Sequence, residues 1–228
     1  MWLYRVLAPL TVAVPAALAL LAKGPRGPVL ATVTIIAGLL LYWFTLPRLA
    51  HRAYRQGNVA SAARRYRWLA ASYVPERRRA ALLSIGACLV AGQDFDRAAN
   101  VLNKLDETTL QPSEAATLLN NRAALELARG GDANYALALA ERAGELRPDV
   151  AEIAHTRATA LVALGRVDEA IVILESGRGS VDKPRFEAER CIELARAWHS
   201  KGQLEYALEY RNRAVAQWPA IAIPSTLA

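Results

Sequence analysis

The groups in this 228-residue chain that could do chemistry are three histidines, two cysteines and two close pairs of acids. His51, His155 and His199 could bind a metal or move protons, but they are scattered along the chain. No HExxH helix, no Cys–His pairing at zinc spacing and no Gly-rich phosphate loop accompanies them. Asp94 with Asp96, and Asp168 with Glu169, have the composition of an acid–base pair. Both pairs fall at the starts of predicted helices, where carboxylates favour the positive end of the helix dipole. Cys88 and Cys191 are far apart and each lies within a predicted helix, so both read as core residues rather than as a disulfide or a reactive thiol. The sequence therefore reads as a non-enzyme, with no catalytic, cofactor-binding or metal-binding residue, no cofactor and no small-molecule substrate expected.

What these residues sit on is a repeat. In Ala154 to Ser176 (AHTRATALVALGRVDEAIVILES), Ala158, Leu161, Gly165, Val167, Ala170 and Leu174 are spaced as two short helices around a corner. Steps of three and four residues place side chains on one helical face. Ala158 and Ala170 are small enough for the helix axes to approach, and one such hairpin cannot bury its own apolar face. Copies follow the same order: Ala124, Leu127, Gly131, Ala133, Ala136 and Ala140; and Ala195, Trp198, Gly202, Leu204 and Ala207. Upstream stand Gly86, Leu89, Gln93, Phe95, Ala98 and Leu102, with Gln93 where Gly is expected, and a weaker copy at Ala50, Ala53, Gly57, Val59 and Ala62. The alanines opening the second helices, Ala62, Ala98, Ala136, Ala170 and Ala207, are 36, 38, 34 and 37 residues apart. Pro148 and Pro219 close two copies.

A period near 34 with this small–large–Gly–large–Ala order resembles the tetratricopeptide repeat. The expected fold is all-α: a transmembrane helix pair, then a right-handed α–α superhelix of about five hairpins. The solenoid is expected over residues 48–219, with repeats at about 48–75, 77–112, 117–148, 151–182 and 188–219, followed by a tail, 220–228. Departures from the family pattern are Arg211, where a large apolar residue is usual, and Gly177 and Asp182, where Ala and Pro are usual. The resemblance implies a concave surface lined by the first helices. It assigns to that surface Asn121, Leu125 and Arg129, then His155, Thr159 and Val162, then Ile192, Arg196 and His199. This mixture suits a peptide with some acidic character, so a protein partner is expected there.

The N-terminal 47 residues are of another kind. Residues 2–22 hold one charge, Arg5, and residues 28–46 hold none. Each run is about twenty residues, enough to cross a bilayer core of about 30 Å. A short helix-breaking connector, KGPRG, joins them, so the pair reads as a membrane hairpin. A rival reading makes the first run a cleaved signal peptide ending near Ala17-Leu18-Ala19.

From Arg48 to Ala80 there are nine arginines (48, 52, 55, 64, 65, 67, 77, 78 and 79) against one acid, Glu76. The connector between the two runs offers only Lys23 and Arg26. That asymmetry places the repeats in the cytoplasm, and Trp2 and Tyr4 would share an interface with Tyr42 and Trp43. The net charge of +7 does not indicate nucleic acid, because residues 81–228 hold 16 basic and 20 acidic residues and no recognition motif is present. Basic charge beside a membrane instead suits anionic headgroups, and Arg48, Arg52, Arg55, Arg64, Arg65 and Arg67 are the candidate lipid contacts. An Arg- and Ala-rich composition accompanies GC-rich bacterial genomes, so a bacterial inner-membrane protein is expected. The functional expectation is a membrane-anchored, non-catalytic adaptor at the cytoplasmic face. The alternative is a structural subunit of a bacterial envelope complex, held through its membrane hairpin, with repeats outside the cytoplasm in one version.

Overall fold

The computed structural model describes residues 13–18, 20–21, 26–177 and 184–227, which are helical or in turns, with no strand among them. The first apolar run, its connector, residues 178–183 and Trp2 and Tyr4 therefore lie wholly or largely outside the described residues. The helices are α1 (Arg26–Arg55), α2 (Val59–Leu69), α3 (Pro75–Ala91), α4 (Phe95–Leu102), α5 (Pro112–Ala128), α6 (Ala133–Leu146), α7 (Ala151–Ala163), α8 (Val167–Ser176), α9 (Pro184–Ser200) and α10 (Leu204–Gln217). The chain divides into two compact units between Val101 and Leu102.

In the first unit α1 runs through the expected boundary at residue 47 without a break. Pro47 should interrupt it, since proline lacks an N–H and its ring crowds the carbonyl four residues back. The helix avoids the clash by widening into a π-turn over Leu41–Thr45, where the N–H of Leu46 donates to the carbonyl of Leu41, five residues behind. Beyond the turn α1 becomes two-faced. Ala50 and Ala53 are buried against α2, while Arg48, Arg52 and Arg55, spaced four and three apart, face outward. Ala53, Ala62 and Cys88 form a small core with Tyr54 and Tyr66 around it.

The second unit is a stack. Each helix from α5 to α10 packs on the next, and the first helices α5, α7 and α9 also touch in order. One continuous core runs from Ala116 to Leu227. This is a stack of helical hairpins. In all five hairpins the alanine opening the second helix is buried, with Ala62, Ala98, Ala136 and Ala170 at 0% exposure and Ala207 at 4%. Each donates its N–H to the carbonyl four residues earlier, at the corner. The corner itself carries a left-handed residue: Gly57, Gly130, Gly165 and Gly202 have φ of 75°, 68°, 75° and 74°, and Gln93 takes φ 60°.

That geometry corrects the alignment of the third copy. The left-handed glycine there is Gly130, not Gly131, so Gly131 is an inserted residue between corner and cap. A Cβ on it would displace the flexible end of Glu126 and stand 3.2 Å from the Glu126 carbonyl. The first helix α5 is therefore offset by one residue from the sequence-based register. Ala123, at 0% exposure, takes the place of Ala158 and Ala195 at the close helix contact, rather than Ala124.

The tail folds back. Ser225–Leu227 form a 3-10 turn against α9 and α10, burying Leu227. Arg211, the residue out of place for the family, donates from Nη1 to the Leu227 carbonyl at 3.0 Å. An arginine can donate to that tail carbonyl, which a large apolar side chain cannot.

Candidate functional site

The face offered by α5, α7 and α9 follows from the register. With the corners superposed, His155, Thr159 and Val162 on α7 correspond to Ile192, Arg196 and His199 on α9, and to Asn120, Ala124 and Leu127 on α5. Asn121 and Leu125, expected on this face, are instead 8% and 5% exposed, like Thr156 and Ala160 one hairpin later. They point into the stack. Arg129 follows the last residue of α5, at the corner. The single inserted glycine accounts for the one-residue displacement of Asn121 and Leu125; Arg129 lies two positions beyond Leu127, one more than the insertion explains.

Of the remaining expected residues, His155, Thr159 and Val162 are half-buried, Arg196 and His199 are exposed, and Ile192 is buried. Thr159 uses its hydroxyl to donate to the His155 carbonyl at 3.0 Å. The His155 ring leans on Phe186, centroids 5.4 Å apart, and its Nδ1 is enclosed with no hydrogen-bond partner among the described residues. Asn120 Oδ1, at the equivalent place on α5, is likewise enclosed and unpartnered. Unpaired buried polar atoms are costly, so adjacent hairpins here hold unused hydrogen-bonding capacity. Asn120 was missed from sequence because two neighbouring glycines, Gly130 and Gly131, make the corner ambiguous.

The two arginines expected to attract an acidic partner are neutralised locally. Arg129 grips Glu126 through Nε at 3.2 Å and Nη2 at 2.5 Å. Arg196 donates to Glu193 Oε1 at 3.0 Å, while Glu193 Oε2 is enclosed without a partner. Both glutamates lie three residues before their arginine, the spacing that faces side chains together on a helix. The face is polar and close to neutral rather than basic.

Of the four paired acids Asp96 is exposed, and the other three meet cations. Asp94 accepts from Arg97 at 2.9 Å and Asp168 pairs with Lys201 of the next hairpin. Glu169 is gripped bidentately by Arg166, whose hydrogen bonds hold its carboxyl below the usual range. These carboxylates are tied to cations rather than to each other. Cys88 and Cys191 are buried and form no disulfide, and burial followed by the charge of Glu187 pushes the Cys191 thiol up to about 11. That is the opposite of an activated thiol. Among the described residues no three His, Cys, Asp or Glu side chains converge as a metal site.

The arginines between residues 48 and 79 divide into anchored and open ones. Arg48 donates from Nη1 to the Phe44 carbonyl at 2.9 Å and lies 5.9 Å from the Phe44 ring centroid. Arg65 reaches from α2 to the Leu49 carbonyl at 2.9 Å. Arg67 is half-buried, and Arg52, Arg55 and Arg64 are exposed. Arg77, in the first turn of α3, sits 3.6 Å from the centroid of Trp43 and 5.8 Å from that of Tyr42.

No protein-family model matches the chain, and no curated protein sequence matches it. Solved structures do match it. One, titled MamA MSR-1 C2, is 18% identical and covers 78% of this chain and 97% of its own, with a TM-score of 0.45.

Proposed function

We propose that this chain is a membrane-anchored, non-catalytic adaptor that holds a protein partner on the first-helix face of its repeats, at the cytoplasmic side of a bacterial inner membrane. The observation that carries the reading is α1, a 30-residue helix whose most apolar 18-residue window has a mean hydropathy of 2.1 and is only 6% buried. A soluble core helix hides such a surface; this one exposes Leu30, Val33, Ile35, Leu39, Leu41 and Phe44 around its girth. Lipid is the solvent that suits it. Gly27 and Ala31, spaced as small-xxx-small, and Ala16 are the buried residues of this region. That spacing lets two membrane helices approach, in support of a helical hairpin with the first apolar run. The arginine excess after α1 supports a cytoplasmic C-terminal side. The repeats form a right-handed superhelix with the partner in its concave face, and membrane lipids are a second partner.

The full chain in detergent, immobilised, is expected to capture one or a few specific proteins. His155→Ala and Asn120→Ala should weaken capture; retention of general chaperones alone would refute the adaptor. A reporter fused after Ala228 should be active only in its cytoplasmic form. Exchanging residues 1–46 for an unrelated span should leave capture intact, whereas an envelope subunit assembled through its spans would lose its place in the complex.

A further inference from the structure

Arg77 lies over aromatic faces brought to it from a distant part of the chain, whereas Arg48 meets a ring, Phe44, on its own helix. Its guanidinium lies over Trp43 at 3.6 Å and near Tyr42, two rings that are themselves edge-to-face, centroids 6.4 Å apart. Its Nη1 is enclosed and makes no hydrogen bond among the described residues. The contact spans 34 positions and joins the first turn of α3 to the π-turn of α1. It therefore brings α3 to the depth of Trp43, whichever way the rest of the chain is arranged.

That depth can be placed if α1 spans a bilayer, the reading on which this inference rests. Trp and Tyr settle at the boundary between hydrocarbon and headgroups. The headgroup zone on each side is about 5–8 Å thick, half the difference between a full bilayer and its core. Along α1, at about 1.5 Å per residue, Arg48 stands about 7 Å beyond Trp43, Arg52 about 13 Å and Arg55 about 18 Å. A guanidinium can reach back along a stem of roughly 6 Å. Arg48 is then within the zone, Arg52 reaches its outer edge and Arg55 falls short. Arg77 starts inside it. Among the described residues no acid pairs with Arg77, and Glu76, the single acid of residues 48–80, faces Arg79 at 3.6 Å. Lipid phosphates supply a counter-anion, and a planar guanidinium binds phosphate bidentately.

We propose that Arg77, held on Trp43 and Tyr42, forms with Arg48 and Arg52 a binding surface for the phosphates of anionic phospholipids, and that this surface pins the first repeat hairpin to the membrane. The outer arginines, beginning with Arg55, serve the general field and not this site.

The full chain is reconstituted in nanodiscs of phosphatidylcholine, or of equal parts phosphatidylcholine and phosphatidylglycerol. Amide hydrogen exchange is then followed over residues 46–55 and 75–80. Anionic discs should slow exchange severalfold at both segments. Arg77→Ala and Arg48→Ala should remove most of that slowing, and Arg55→Ala should leave it. Trp43→Leu keeps the span apolar and should weaken the effect even if Arg77→Ala proves poorly folded by circular dichroism. Equal exchange in the two kinds of disc, or an equal loss with Arg55→Ala, overturns the proposal while the anchor stands. Inorganic phosphate added to neutral discs should not reproduce the slowing; if it does, the lipid assignment is wrong. Release of the chain by alkaline carbonate instead removes the anchor itself, and the lipid surface with it.

Discussion

Gln93 offers a direct test of the corner geometry. It occupies φ 60°, the left-handed conformation that four glycines take at the equivalent corners. For a residue with a Cβ that conformation costs roughly 1–2 kcal/mol. Glycine removes the strain but adds freedom to the unfolded chain worth about 0.5–1 kcal/mol. Gln93 is exposed, so its side chain has little packing to lose. Gln93→Gly should therefore stabilise the first unit by a net of about 0.5–1 kcal/mol. The converse, Gly165→Ala, isolates the backbone effect in the second unit, because nothing lies within 4 Å of a Cβ built there. It should destabilise by about 1 kcal/mol. The assay is thermal melting by far-ultraviolet circular dichroism, with hydrogen exchange at Gln93 and Asp94 to localise the effect. For a chain of this length 1 kcal/mol shifts Tm by roughly 2–4 °C. A Gln93→Gly chain that melts lower, with Gly165→Ala unchanged, would refute the claim that the corners impose their φ.

Ala170→Arg should cost about 1–3 kcal/mol or more, since the residue is wholly buried where α7 and α8 meet; an unchanged melting temperature would dispose of the close helix contact. Arg211→Ala removes the charged donor to the Leu227 carbonyl, worth about 1.5–3 kcal/mol when fully shielded and less at this half-exposed site. The expected sign is faster proteolysis after residue 219 with the repeats intact. The Cys191 thiol, raised from 9.0 to about 11, keeps its proton longer in the folded chain than in the unfolded one. Its contribution is thus fully present below pH 9 and is lost as pH rises from about 9 to about 11. Titrating stability over that window in wild type and Cys191→Ala checks the sign, and the native chain at pH 8 should resist iodoacetamide at this position.

The periodic part of the fold was open to reading because the signals are local. A small residue, a large one, a corner and an alanine recur within some twenty positions, and the helix geometry that makes them neighbours is the same in every copy. The five buried alanines and the corner at Gln93 follow from that regularity alone. Apolar composition in the same way marks residues 28–46 as a surface unsuited to water.

Other features depended on contacts between distant residues or on choices that spacing leaves degenerate. Gly130 and Gly131 are chemically identical, and only their φ values say which one turns the chain. From that follows the whole face of α5, with Asn120 outward and Asn121 inward. The arginines of the first-helix face looked free in sequence; rotamers bring Glu126 and Glu193 against them. Arg211 looked like a defect until the tail returned to its side. Arg77 and Trp43 meet across 34 positions by the folding of three helices, a distance over which no local pattern carries information. Short-range spacing specified the hairpins, and the packing of one hairpin on another decided which side chains were left for a partner.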